Sequence, residues 1–313
     1  MSDAQLVADF FKQNFAGEEI YYVTNQGNAG DALIGYGALS FFEREGIRFH
    51  FVESPRDPVL EGKVVVYAGG GYLTDFYPHN AENLSWMRQH AKHLVMLPQT
   101  TQGSEEFLAS LGSETTVFCR ELVTYEHVQK HTQGVAVHLA PDMAFCIPAK
   151  AFVEQQELQF PQVFKKFVSQ RQQFGRKSPR TVRGKYLYRA FRHDLRYRKK
   201  AAKAGHPKRL NAFRYDQEAS GISIPDVNID VSYSMQFGVN SAEKLEYTSF
   251  RFLSFINKFE EVYTDRLHVA IGAAMLGKKV YLYSNSYFKC RAIFEYSLQK
   301  QFPNVVWMGS GND

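Results

Sequence analysis

The sequence predicts an α/β fold in two units, each a mainly parallel sheet covered by helices. Three observations carry that prediction. Short runs rich in β-branched and aromatic residues alternate with longer stretches of helical period, the connections between them are short, and the alternation pauses at one basic stretch before resuming. Alternating strands and helices leave successive strands parallel, because each return path is a helix laid across the sheet. The 313 residues suit about two domains at ~100–200 residues each.

In the first half, strands are expected at 20–24, 48–52, 63–68, 93–97, 116–119 and 135–139. Between them, Leu33, Phe41 and Phe42 fit one helix face, and Leu122, Tyr125 and Val128 fit another. In the second half the expected strands are 227–231, 261–264, 279–283 and 305–307, separated by helical stretches at 242–257, 267–276 and 288–298. Pro161, Pro179 and Pro207 with Gly175, Gly184 and Gly205 are expected to break any long element between the halves, and 185–190 reads as a further strand of the second unit. The domains are therefore placed at 1–150 and 151–313, with a basic insert at about 163–214 in the second.

Hydrophobic residues at 44% and charged residues at 22% exclude a disordered chain. The aromatics, 26 Phe, 18 Tyr and 2 Trp, supply a large core. The net charge of +5 hides an asymmetry: residues 163–214 hold eighteen Lys/Arg against Asp194 alone, a local +17 that leaves −12 for the rest. Cys119, Cys146 and Cys290 match neither a zinc ribbon nor a disulfide framework, so a reducing cytoplasm is expected. The N-terminus lacks the basic and apolar regions of a signal peptide, and no apolar run approaches the ~20 residues of a membrane span. Any membrane contact should be peripheral, at the inner face of the plasma membrane.

Ligands of open parallel sheets collect at the carboxyl ends of strands, which directs attention to the residues that follow each run. After the first come Asn28, Ala29, Gly30 and Asp31, a glycine-containing turn in which Asn28 or Asp31 can cap the next helix. A turn with an N-cap explains these residues without a ligand. Gly69, Gly70 and Gly71 follow the third run, where close passage of a ligand or of backbone justifies the entropy that glycine gives up, and they are expected to form a wall of the site. Gln99 follows the fourth. Arg120, at the end of the fifth beside Glu121, suits bidentate anion binding or a surface ion pair, and Asp142 after the sixth can cap, orient Arg120 or contact a sugar hydroxyl.

The segment Thr264-Asp265-Arg266-Leu267-His268 is the most informative, because it puts Arg266 and His268 in the first turn of an apolar helix. Helix N-termini already favour anions and disfavour cations, so two cationic side chains there suggest a compensating anionic ligand. Lys289, from the next strand–helix junction, can converge on the same anion.

Taken as a set, Asn28-Ala29-Gly30-Asp31, the glycine run with Asp75, Gln99, Arg120-Glu121, Asp142, Thr264-Asp265-Arg266-Leu267-His268 and Lys289 resemble the polysaccharide pyruvyl transferase family, from about Tyr21 to Leu298. Within the basic insert, Tyr188 to Asp194 is matched to the first strand and following Arg-x-Asp of that family's second domain. The resemblance implies two Rossmann-like domains facing a cleft, similar to GT-B glycosyltransferases. It also implies transfer of pyruvate from phosphoenolpyruvate onto two hydroxyls of a sugar, in a polysaccharide or lipid-linked precursor, giving a cyclic ketal and phosphate. Neither a metal nor an organic cofactor is implied.

The residue chemistry agrees with such a donor. Arg120, Arg266 and Lys289 offer two guanidinium forks and a point charge for a phosphate and a carboxylate. His268 is the candidate acid for the vinyl carbon, since histidine titrates near neutral pH; Asp142 or Asp265 is the candidate hydroxyl base or orienter of Arg266. Two rivals remain: a nucleotide-sugar glycosyltransferase of the same architecture, and a non-catalytic adaptor that uses the interleaved aromatic and basic residues near 186–200. For 163–214 the expected attraction is to an anionic membrane surface or a diphosphate-linked acceptor rather than to nucleic acid.

Overall fold

Two all-parallel sheets organise the chain in the computed structural model, which describes residues 3–74, 76–77, 79–162, 165 and 179–309, with the side chains of 3 and 179–190 excluded. After the helix α1 (Asp3–Asn14), strands β1 (Ile20–Val23), β2 (Phe49–Val52), β3 (Val64–Tyr67), β4 (Gly70–Thr74), β5 (His93–Gln102), β6 (Thr115–Cys119) and β7 (Ala136–Leu139) form the larger sheet. Six run in the order β2-β1-β3-β5-β6-β7, and β4 pairs with the far half of β5. Helices α2 (Ala29–Glu45), α3 (His79–His90), α4 (Glu105–Ala109) and α5 (Leu122–His131) are the crossovers between them. The central strands are buried throughout, which is why β3 is the unbroken apolar run Val64-Val65-Val66-Tyr67 instead of an alternating one.

The smaller sheet takes β8 (Arg209–Asn211), β9 (Glu261–Thr264), β10 (Lys279–Leu282) and β11 (Val305–Trp307) in the order β11-β10-β9-β8. Its crossover helices, Ala242–Asn257 and Leu267–Met275, pack closely through Gly272, where an added Cβ would lie 3.0 Å from Leu253. The chain packs as two compact units, one of Met1–Gln26, Ile34–Ile147 and Glu295–Ser297, the other of Gly27–Leu33, Pro148–Phe294 and Leu298–Asp313. The opening turn of α2 thus packs with the second unit. Two hydrogen bonds hold it there, from Gln236 Nε2 to the Gly27 carbonyl (2.8 Å) and from Ser249 Oγ to that of Ala32 (3.0 Å).

Several expectations are corrected. Residues 185–190 belong to a 25-residue helix, Pro179–Lys203, and not to a strand. Pro179 begins that helix, where a missing N–H costs nothing, and Gly184 is tolerated at ~1 kcal/mol inside a run of good helix formers. Tyr197 docks the helix: its hydroxyl donates to the Arg209 carbonyl (3.2 Å) and accepts from the Asn211 N–H (2.7 Å). The first strand of the second sheet is consequently β8, and Tyr188–Asp194 does not supply it.

Residues 227–231 do not form a strand either. Asp230 instead caps the short helix Val231–Ser234, and Asn228 brackets the Phe213 backbone with bonds of 2.8 and 2.9 Å. β5, expected to end at 97, runs to Gln102, carrying Pro98 through a register shift between Met96 and Gln99, one of the few places where a strand accepts proline. Residues 163–164 and 166–178 of the basic insert lie outside the described residues. Its C-terminal end does not face solvent as a uniform basic surface: Lys208 pairs with Glu260, Arg209 with Glu261, and Arg214 is buried. No helix among the described residues is long and apolar enough to cross a membrane.

Candidate functional site

In the first unit, the strand ends converge on Arg120. Its side chain is 1% exposed, with NH1 donating to Asp142 Oδ2 at 2.6 Å and Nε to Thr100 Oγ1 at 2.9 Å. Asp142 also accepts the Ala144 N–H (2.9 Å) as cap of the 3₁₀ turn Met143–Cys146. Of the roles expected for Asp142, capping and orienting Arg120 are therefore the ones its bonds perform. Glu121 is buried and caps α5 through the Thr124 N–H (2.8 Å), so the alternative of an exposed Arg120–Glu121 pair does not hold. Burial raises the Glu121 carboxyl above its ordinary range against those bonds.

Gln99 lies inside β5 instead of after it, 2% exposed, with Nε2 3.9 Å from Met96 Sδ and its carbonyl accepting the Arg120 N–H (3.1 Å). Gly69 (φ +76) and Gly70 (φ +100) adopt backbone that other residues rarely take. A Cβ at Gly69 would lie 2.4 Å from the Leu97 carbonyl, so this glycine is explained by close passage of β5. Gly71 continues β4, and Asp75 lies outside the described residues.

The second unit holds the other group. Asn28 and Asp31 form a reciprocal box at the start of α2: Asn28 Oδ1 accepts the Gly30 N–H (2.8 Å) while Asp31 Oδ2 accepts the Asn28 N–H (2.8 Å). Both expected caps are thus made at once. The box presents Gly30 to His268, and a Cβ at Gly30 would sit only 2.6 Å from His268 Nδ1. His268 is the second residue of the helix Leu267–Met275, which Arg266 precedes at the cap position. Thr264 shapes that turn, donating to the Ala212 carbonyl (2.7 Å) and accepting the Arg266 N–H (2.9 Å).

Arg266 and Lys289 join one buried ionic network through residues that sequence reasoning missed. Arg266 donates to Asp216 (2.8 Å) and to Asp230, and lies 5.2 Å over the Tyr233 ring. Arg214 donates to Asp216 (2.6 Å) and Glu218 (2.7 Å), and Lys289 donates to Glu218. Asp265 accepts the Arg214 N–H (3.0 Å), so the orienters of Arg266 are Asp216 and Asp230, not Asp142 or Asp265. One readable signal existed: Arg214-Tyr215-Asp216 is separated from β8 by two residues, an Arg-x-Asp after the first strand of the sheet, hidden among the basic residues of 163–214.

Three cations here meet four carboxylates, and their environments differ. Burial pushes Glu218 up, but Lys289 and Arg214 outweigh it and hold the carboxyl at about 2. Burial likewise raises Asp216, yet Arg214 and Arg266 leave it below its ordinary value. Burial raises Asp265 to about 6 despite the Arg214 N–H, and raises Asp230 despite Arg266. Two buried donors, Arg266 Nε and Asn285 Nδ2, have no acceptor among the described residues. Unmet donors at strand ends beside a helix N-terminus are suited to oxygens of an anion.

The predicted residues therefore fall into two groups. Gly70, Gly71, Gln99, Arg120 and Asp142 belong to the first unit; Asn28, Gly30, Asp31, Asp265, Arg266, His268 and Lys289 belong to the second.

Comparison with known proteins gives the following. The family model described as polysaccharide pyruvyl transferase matches residues 28–287, most of the chain. No curated protein matches the chain. Among solved structures, a functionally uncharacterised protein from Klebsiella pneumoniae subsp. pneumoniae is similar at TM-score 0.70 and 22% identity, covering 98% of each chain, a likeness that bears on the fold alone.

Proposed function

The chain belongs to the polysaccharide pyruvyl transferase family, and on that premise we propose that it transfers pyruvate from phosphoenolpyruvate to two hydroxyls of one sugar in a polysaccharide or lipid-linked oligosaccharide precursor. The observation that carries the donor assignment is the start of the helix Leu267–Met275, where Arg266 keeps a buried unpartnered Nε and His268 packs on Gly30. In this reading Arg266, the helix N-terminus and Lys289 receive the phosphate, and Arg120 is assigned to the carboxylate.

The reaction then proceeds by protonation of the vinyl methylene. His268 gives its proton to that carbon, which becomes the methyl group, and positive charge develops at C2. One sugar hydroxyl attacks C2 and its proton passes to a carboxylate; Asp265, with its carboxyl raised to about 6, is tuned for that transfer near neutral pH. The C2–O bond to phosphate breaks, Arg266 and Lys289 stabilise the departing charge, and the second hydroxyl closes the ring, its proton returning to His268. Pyruvate, less one water, is added to the sugar and one phosphate leaves. Asp142 acts through Arg120, as a positioning residue.

Calorimetric titration with phosphoenolpyruvate, paired with a phosphate-release assay on saccharide acceptors, tests this. His268→Ala should bind the donor and release no phosphate, whereas Arg266→Met should lose donor binding. Unchanged turnover in His268→Ala would refute the assignment of the acid. The basic segment is assigned to holding an anionic acceptor or membrane surface, through the exposed part of the helix Pro179–Lys203 that displays Phe191 and Leu195. Liposome cosedimentation that depends on anionic lipid and on salt is the expected result, and binding indifferent to both would contradict it.

A further inference from the structure

We propose that Glu105, His127 and His131 bind one divalent transition-metal ion of the zinc class, clipping the start of α4 to the end of α5. His127 and His131 are four residues apart on α5, so their rings lie together on one face, tilted at 52° with centroids 4.6 Å apart. Glu105 reaches them from the start of α4, its Oε1 4.0 Å from His127 Nε2. One ligand atom from each of the three residues lies within 4.8 Å of the others. Zinc takes imidazole nitrogen and carboxylate oxygen at about 2.0–2.2 Å.

The surroundings supply what a metal site needs beyond its ligands. One nitrogen of each imidazole is 2.9 Å from a backbone carbonyl, that of Gly103 for His127 and that of His127 for His131. For His131 that bond engages Nδ1 and leaves the Nε2 lone pair, the outer-shell pattern of metal-bound histidine; for His127 it engages Nε2, the same nitrogen that lies 4.0 Å from Glu105, so the metal takes Nδ1 or replaces the Gly103 bond. His131 closes α5, where the exposed carbonyl end of a helix favours a cation. An open cleft of about 560 Å³, lined by Glu105, Glu106, Lys130, His131 and Gln133, adjoins the cluster and would leave a fourth coordination position to water.

An ordinary surface ion pair accounts for less of this. Glu105 at 4.0 Å from one ring gains ~0–1 kcal/mol and gives no reason for a second imidazole on the same side. The ten residues of α5 span about 15 Å, so the clip lies a helix length from Arg120 and should act on stability instead of on donor chemistry.

The test uses the full chain without a histidine tag. Equilibrium dialysis should show one saturable equivalent of Zn²⁺, and Co²⁺ should give visible d–d bands of a low-coordinate nitrogen–oxygen site. His131→Ala and Glu105→Gln, both at the surface and checked for native circular dichroism, should each weaken binding by at least the ~10–100-fold that losing an outer-shell partner costs. Zn²⁺ should raise the Tm of the wild type and leave that of both variants unmoved. Absence of saturable binding, or wild-type affinity in both variants, overturns the proposal.

Discussion

Asp142→Ala should be among the most destabilising single substitutions in this chain. Arg120 and Asp142 have side chains 1% and 0% exposed, and they meet at 2.6 Å. Removing the carboxylate leaves a buried guanidinium whose other named partner is the neutral Thr100 hydroxyl at 2.9 Å. Breaking a buried pair from one side costs about 3–5 kcal/mol, because the desolvated charge keeps its penalty and loses its compensation. Loss of the cap on the Ala144 N–H adds about 1 kcal/mol. Asp142→Asn keeps a capping oxygen and should pay the first cost alone. The double replacement Arg120→Met with Asp142→Leu removes both ions and should be far milder than the two single changes together, a coupling that a double-mutant cycle reads directly. Urea unfolding followed by circular dichroism measures the wild type and each of these variants. A cost below ~1 kcal/mol for Asp142→Ala, or singles that simply add, would refute the idea that these two groups compensate each other.

Three further outcomes follow from the second unit. Gly30→Ala places a methyl 2.6 Å from His268 Nδ1, so the imidazole must move by about an ångström; phosphate release should fall ~10²-fold while thermal stability is retained, and undiminished turnover would separate Gly30 from the reaction. Asp265 titrates near 6 in the fold and near 3.8 when exposed, so folding must keep it protonated between those values and its penalty is absent below 3.8 and complete above 6; Asp265→Asn should gain on the wild type by about 3 kcal/mol between pH 3.5 and pH 7, and a gap that does not change with pH contradicts the shift. Glu218 has the opposite sign, its carboxyl held at about 2 against an ordinary 4.5, so it stabilises above 4.5 and loses that contribution as pH falls towards 2; Glu218→Gln should cost about 3 kcal/mol at pH 7, with the difference closing in acid.

Much of the fold could be read from residue pattern, for reasons visible in particular elements. The apolar run of β3 announces itself because that parallel strand is buried on both faces, and β9 and β10 because these short strands flank the apolar helix Leu267–Met275. Residues 185–190 misled because Tyr186 and Tyr188 mimic a two-residue period, whereas the burial that decides the element, at Tyr197 and Ala201, follows helical spacing further along. At the site, Arg266 and His268 were legible from their position before an apolar helix. Their carboxylate partners were not: Asp216 and Asp230 reach Arg266 from 50 and 36 residues away in sequence, and such contacts leave no local spacing to read. The glycine run had two explanations, a ligand or a neighbouring backbone, and only the 2.4 Å approach of the Leu97 carbonyl to a Cβ at Gly69 identifies the latter for that residue.

The proposed product is a pyruvate ketal of the acceptor sugar. Mass spectrometry of saccharide acceptors after incubation with phosphoenolpyruvate addresses it most directly. The expected product is heavier by one pyruvate less one water, forms with one phosphate per ketal, and is absent with His268→Ala. Acceptors unchanged by phosphoenolpyruvate but extended by a sugar from a nucleotide donor would contradict it.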